Sequence, residues 1–175
     1  MSDAMTAMLE RRSIRKYKSD MIPRETLESI IEAGLWAASG RNKQAGMILA
    51  VTNRALRDKL SAMNAKIMGA PEGHDPFYGA PVVLVVLANK EVGTYVYDGS
   101  LVMGNLMLAA HELGVGSCWI HRAKEEFESE EGKAILRELG VEGDYEGVGH
   151  CILGYADCDM PAAPARRGGN VFWAE

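Results

Sequence analysis

The sequence predicts an α+β domain of mixed, three-layer construction, and three observations carry that expectation. Helical and strand periodicities follow one another in the order helix, helix, strand, helix, strand, helix, strand, helix, strand. The stretch Val82-Val83-Leu84-Val85-Val86-Leu87 is apolar at every position and reads as a core strand by its length and β-branching. The chain of 175 residues also suits one domain spanning 1–175, whose core needs neither disulfide nor metal.

Each element has a local cause. Ser2 or Asp3 can cap a first helix with Met5, Met8 and Leu9 on one side. Pro23 opens a second helix bearing Leu27, Ile30, Ile31, Gly34 and Leu35. Turn formers follow at Ser39, Gly40 and Asn42, and then a buried strand over 47–52. Asn53 can cap a helix carrying Leu56, Leu60, Met63 and Ile67. Residues 69–79 hold three glycines and two prolines, so they form a loop before the core strand. Asp98 is placed as the cap of the longest helix, whose stripe runs through Leu101, Val102, Asn105, Leu106, Ala109 and Leu113 and ends at Gly114. A strand over 115–120, a helix around Ile135, Leu136 and Leu139 stopped by Gly140, and a strand over 148–155 complete the pattern. The remainder, with Pro161, Pro164, Gly168 and Gly169, is an irregular tail.

Composition narrows the function. Hydrophobic residues at 47% and charged residues at 25% describe an ordinary soluble globular protein. No apolar run approaches the ~18 residues of a spanning helix. The N-terminal residues lack a secretory pattern, and three cysteines, Cys118, Cys151 and Cys158, are too few for a disulfide scaffold. These features place the chain in the cytoplasm and away from membranes. A net charge of −5 argues against a nucleic-acid partner. Within that acidic chain, Arg11, Arg12, Arg15, Lys16 and Lys18 form a compact basic cluster. It reads either as an anion site or as a solvated helix end, since bases favour the last turn. The stretch 125–131 is acidic and reads as a solvated helix start.

Several chemistries are excluded. His111-Glu112 begins a zinc-protease pattern, but Val115 stands where the second histidine belongs. No Cys-x-x-Cys occurs, and His150, Cys151 and Cys158 fit core packing better than a metal. Gly114/Gly116 and Gly147/Gly149 each lack the third glycine of a dinucleotide fingerprint. Gly-x-Ser-x-Gly and the phosphate-loop motif are absent as well. Metal: none is expected, and no side-chain acid or nucleophile is singled out as catalytic.

Three segments remain that suit a phosphorylated, hydrogen-bonding ligand. Arg11-Arg12-Ser13-Ile14-Arg15 can surround a phosphate with charge-assisted bonds. Ser39-Gly40-Arg41-Asn42-Lys43-Gln44 offers amides able to read a polar ring edge, and Arg166-Arg167-Gly168-Gly169 is a late basic turn.

These residues resemble the FMN-dependent nitroreductase family. Arg11-Arg12-Ser13-Ile14-Arg15 is similar to its opening motif, and the segment from Ala38 to Gln44 to its Pro-Ser-x-x-Asn-x-Gln segment. Gly79-Ala80-Pro81, Leu113-Gly114-Val115-Gly116-Ser117-Cys118-Trp119 and Arg166-Arg167-Gly168-Gly169-Asn170-Val171-Phe172-Trp173 resemble three further family segments, all in order. The resemblance implies a three-layer α/β/α sandwich with a mixed, mainly antiparallel sheet, and an intertwined homodimer with two FMN molecules at the subunit interface. Arg11, Arg12, Ser13 and Arg166 would hold the FMN phosphate and ribityl chain, with Arg167 a possible stand-in because Pro164 replaces a frequent family lysine. Arg15 would face the pyrimidine side of the ring, and Ser39, Asn42 and Gln44 would approach from the other subunit. His121-Arg122, standing where some members have an acid and a glycine, would present a backbone N–H to flavin N5.

The implied activity is ping-pong hydride transfer from NADH or NADPH, through the flavin, to a small-molecule electron acceptor such as a nitroaromatic or quinone. Reductive dehalogenation, flavin breakdown, or a flavin-binding sensor or store without turnover are the alternatives. Phe77, Tyr78, His74 and Asp75 are candidates for the acceptor side, whereas Trp36 and Trp119 read as core.

Overall fold

The computed structural model describes residues 3–175. Ser2, one of the two possible first caps, lies outside them. The elements are α1 (Asp3–Glu10), α2 (Arg24–Leu35), a 3₁₀ turn (Gly40–Asn42), β1 (Gly46–Val51), α3 (Arg54–Met68), β2 (Val82–Asn89), α4 (Tyr95–Glu112), β3 (Gly116–Ile120), α5 (Ala123–Glu128), α6 (Glu130–Glu138) and β4 (Tyr145–Gly154). The expected order holds, except that the last helix is two. Ser129 is extended at φ −69°, ψ 155°, and its Oγ accepts from the Gly132 N–H at 3.0 Å, so it caps α6 and ends α5.

The strands lie in the order β1-β2-β4-β3, every neighbouring pair antiparallel. The sheet's mixed character rests on one isolated parallel bridge, Ser13 to Ser117. Seven of the eight β2 residues are buried, because alternate side chains serve opposite layers. Val83, Val85 and Leu87 join Leu60 of α3, Phe127 of α5 and Ile135 of α6. Val82, Leu84 and Val86 join Leu27 and Ile30 of α2 and Val102, Met103 and Leu106 of α4. That is the three-layer sandwich.

Local signals explain the ends. Asn53 Oδ1 accepts from the Leu56 N–H at 2.9 Å, as its capping role requires. Asp98 does not cap α4. It lies inside the first turn, nearly buried, and accepts from Thr94 Oγ1 and from the Gly40 N–H, both at 3.0 Å. Tertiary pairing has taken the carboxylate that a cap would have used. Trp36, expected in the core, is 80% exposed. Met5, Met8, Leu9, Leu101 and Leu113 also face outward, so α1 and α4 carry apolar faces that this chain does not cover. Among the described residues, no helix is long and apolar enough to cross a membrane.

β4 carries an irregularity against β2, with Val86 opposite Gly149 and Leu87 opposite Gly147. Its glycines are there for closeness. A Cβ on Gly149 would stand 2.2 Å from Trp119 Nε1, and one on Gly147 would stand 2.2 Å from the Ala123 carbonyl oxygen. The start of α5 is thereby drawn onto the sheet.

The 69–79 loop is fixed by Asp75. Its carboxylate accepts from Arg57 Nη2 at 2.6 Å, Ser61 Oγ at 2.6 Å, and the N–H groups of Phe77 and Gly79 at 2.9 and 2.7 Å. Burial would raise this carboxyl, but those donors outweigh it and hold it below the ordinary carboxylate value. Phe77, a candidate for the acceptor side, is instead fully buried, and Asp75 anchors the loop rather than facing an acceptor.

Two outcomes test this description. Gly147→Ala must push against backbone and is expected to cost about 1–3 kcal/mol in urea unfolding; a change within about 0.5 kcal/mol would show the contact to be slack. Asp75→Asn is expected to lower Tm at neutral pH. Because the folded carboxyl is depressed, its contribution is present above the unfolded value of about 3.9 and fades as pH falls through the lower folded value. The Tm gap to the unaltered protein should therefore close in that range, and a pH-independent gap would contradict it.

Candidate functional site

Residues 11–18 run extended across the ends of β3 and β4. The Ile14 N–H donates to the Ser117 carbonyl at 3.0 Å, the Lys18 N–H to Tyr155 at 2.9 Å, and the Asp157 N–H to Lys16 at 3.0 Å. Ile14 and Tyr17 turn into the core, and the Tyr17 hydroxyl donates to the Ile14 carbonyl at 2.6 Å. The basic side chains between these anchors are left at the surface.

Arg11, Arg12, His111 and Ser117 line a cavity of about 190 Å³. Arg12 partly serves as a helix end, its Nη1 donating to the Leu9 and Arg11 carbonyls at 2.7 Å. Three buried polar atoms here have no partner: Arg11 Nη1, Arg12 Nε and Ser117 Oγ. Unsatisfied buried donors are costly and uncommon. Donors of this kind suit an anion rich in oxygen acceptors, so the donor set is compatible with a phosphate. Ser117 and His111 were not singled out by the sequence. The serine shows only as one member of the Leu113–Trp119 segment, and the histidine only as an abortive zinc motif.

A second cavity, of about 260 Å³, is lined by Arg15, His74, Tyr78, Trp119, His121 and Arg122, among others. Among the described residues no carboxylate forms an ion pair with Arg15 or Arg122. Tyr78 (φ 52°) and Arg122 (φ 78°) are left-handed, a conformation that side chains accept reluctantly and that gathers at functional sites. Trp119 is half-buried, packing on the inner cluster while reaching this cavity. Ser117 and Cys118, neighbours in β3, thus line different cavities, and Ser13 is bridged to Ser117 without lining either.

The structure does not bring the remaining candidates to these cavities within one chain. Ser39, Asn42 and Gln44 form a tight turn of their own, with the Gln44 N–H donating to Ser39 Oγ at 3.0 Å and Gln44 Nε2 to Asn42 Oδ1 at 3.1 Å. Arg41, Asn42 and Gln44 are all left-handed, at φ 53°, 54° and 49°. The turn borders a separate cavity with residues 91–94. Arg166 and Arg167 lie in the exposed tail.

In the 125–131 stretch Glu125, Glu128, Glu130 and Glu131 are exposed as expected, and Glu126 departs from that character. Glu126 is fully buried, accepting from Asn64 Nδ2 at 2.6 Å and lying 3.0 Å from His150 Nε2. Its place beside Ala123 and Phe127 on one helical face was the available signal. Cys151 is also fully buried, and burial pushes its thiol up to about 12, which leaves it inert.

Known proteins resemble this chain in sequence and fold. The model of the nitroreductase family matches residues 8–155. A relative from Methanothermobacter thermautotrophicus, whose name couples NADH dehydrogenase with NAD(P)H nitroreductase, is 32% identical over 126 residues, covering 67% of this chain and 60% of its own length. Two solved nitroreductases with bound FMN, from Bacteroides fragilis and Desulfitobacterium hafniense, are each 26% identical with a TM-score of 0.88, and each pair matches over 100% of both chains. With its opening arginine motif, antiparallel sandwich and family match over most of its length, the chain belongs to the nitroreductase family.

Proposed function

We propose that this protein is an FMN-dependent oxidoreductase, one domain over residues 1–175, that passes hydride from NADH or NADPH to nitroaromatic, quinone or similar acceptors in a ping-pong cycle. The observation that carries the reading is the set of partnerless donors at Arg11, Arg12 and Ser117, in a family two of whose solved members are described with bound FMN. FMN, when bound, would supply the redox chemistry that links the nicotinamide donor to the acceptor.

The chain's own residues position and polarise. Arg11, Arg12 and Ser117 face the phosphate with charge-assisted bonds, and Ser13 follows along the ribityl chain. Arg166 or Arg167 closes over the same end. Arg15 brings a fixed positive charge to the ring end, where negative charge is favoured by a preorganised cation. The left-handed turn at His121-Arg122 leaves its backbone N–H groups free of strand pairing and available to the ring. His74 and Tyr78 border the space left for the acceptor.

The second subunit completes the site. Ser39, Asn42 and Gln44 lie away from the two cavities lined by Arg11 and Arg15 of their own chain, and the uncovered apolar side chains of α1 and α4 offer a surface for a second copy. Nothing in these residues selects between the two nicotinamide cofactors.

Purified protein is expected to show a flavin absorption spectrum, with about one FMN released per chain on denaturation; a colourless protein that takes up no added FMN would overturn the reading. Arg11→Ala is expected to weaken FMN binding roughly 10- to 100-fold, the loss of one hydrogen bond to a charged group. Light scattering should give twice the chain mass, and Leu101→Glu, on the uncovered face of α4, should reduce it. A monomer with full FMN occupancy would refute the shared site.

A further inference from the structure

The turn at His121-Arg122 is held from beneath by a buried polar trio drawn from three elements. Asn64 of α3 donates from Nδ2 to the His121 carbonyl at 2.8 Å and to Glu126 Oε1 at 2.6 Å. Glu126 of α5 meets His150 Nε2 of β4 through its other oxygen at 3.0 Å, and His150 Nδ1 lies 3.4 Å from the Ile120 carbonyl. Asn64, Glu126 and His150 are each 0% exposed. One proton lies between His150 Nε2 and Glu126 Oε2 in this contact.

The arrangement is dearer than an apolar core would be. Asn64 Oδ1 is buried with no partner, a cost a leucine at this place would not incur. The amide cannot flip to relieve it, since its oxygen would then face the His121 carbonyl and the Glu126 carboxylate. Both donors are committed to placing the turn and the helix that follows it. The trio also reaches the acceptor-side loop. The Phe77 ring lies 5.1 Å from the His150 ring, Arg57 stacks on Phe77 at 5.5 Å, and Arg57 holds Asp75.

We propose that Asn64, Glu126 and His150 are positioning residues of the redox site, a buried strut that fixes the His121-Arg122 backbone against the flavin ring and thereby sets how readily the flavin is reduced. This rests on the flavin reading above. The strut lies away from the partnerless donors at Arg11, Arg12 and Ser117, so its loss acts on the ring end and the loop beside it and leaves the phosphate grip in place.

The test compares Asn64→Leu, which removes both donors and the orphan acceptor while keeping volume, with Glu126→Gln as a milder second variant. In flavin-free protein, amide exchange across residues 121–123 is expected to speed up about tenfold or more in Asn64→Leu. In FMN-loaded protein, anaerobic reduction by NADH or NADPH should slow about tenfold or more and the visible flavin band should change shape, while FMN affinity stays within about threefold. Glu126→Gln should fall between the two if Asn64→Leu folds, and carries the same readouts alone if it does not. Unchanged exchange with unchanged reduction and spectrum would overturn the proposal, whatever happens to Tm. If the unaltered protein takes up no FMN, the flavin reading falls. Faster exchange in the variant would then leave the strut purely structural, which also overturns the proposal.

Discussion

The burial of β2 on both faces is the constraint from which the rest of this structure follows. A strand whose alternate side chains all need apolar cover demands a layer of helices on each side, and the chain supplies α2 and α4 to one and α3, α5 and α6 to the other. β4 must then lie directly beside β2 and β3 beyond it, because that side of the strand also needs its ladder bonds filled. The edge of β3 is where the sheet runs out of strands. The basic segment 11–18 takes up that position, bonding to Ser117 and, further on, to Tyr155. The two candidate cavities exist because this segment crosses there.

The same packing logic holds the turn at His121-Arg122. Gly147 lets Ala123 come close, Trp119 fits over Gly149, and Asn64, Glu126 and His150 tie the turn between them. Packing brings α5 to the sheet, whereas the polar contacts decide where its first residues point. The Arg57–Asp75 pair does the corresponding work for the 69–79 loop, leaving His74 and Tyr78 at the second cavity.

Much of this was legible in the residues. The order of elements, the Asn53 cap and the core position of 82–87 follow from local rules that tertiary structure left alone. The uncompensated charge of Arg11 and Arg12 was visible because a basic cluster stands out in an acidic chain. What escaped were contacts set by distance in the fold. Asp98 has the chemistry of a cap, but Gly40, far away in sequence, competes for it. Glu126 looks solvated among its acidic neighbours until His150 and Asn64 close over it. Trp36 and Phe77 exchanged expected places, since an aromatic residue in a turn or loop carries no periodicity to show which way it faces. Ser129 divided one expected helix into two, a cap signal hidden in a run of glutamates.

The separation of the two cavities by adjacent residues of one strand has a consequence for any ligand that spans them. Its anionic end and its planar end are gripped by different walls, so the ligand's own linker acts as a tether. Once one end is seated, the other meets its cavity at an effective concentration that short flexible linkers bring to the millimolar range. Affinity is then a product of two modest grips rather than one strong one. A fragment carrying either end alone gains nothing from the tether, and neither wall needs to be rigidly perfect for the joined molecule to be retained.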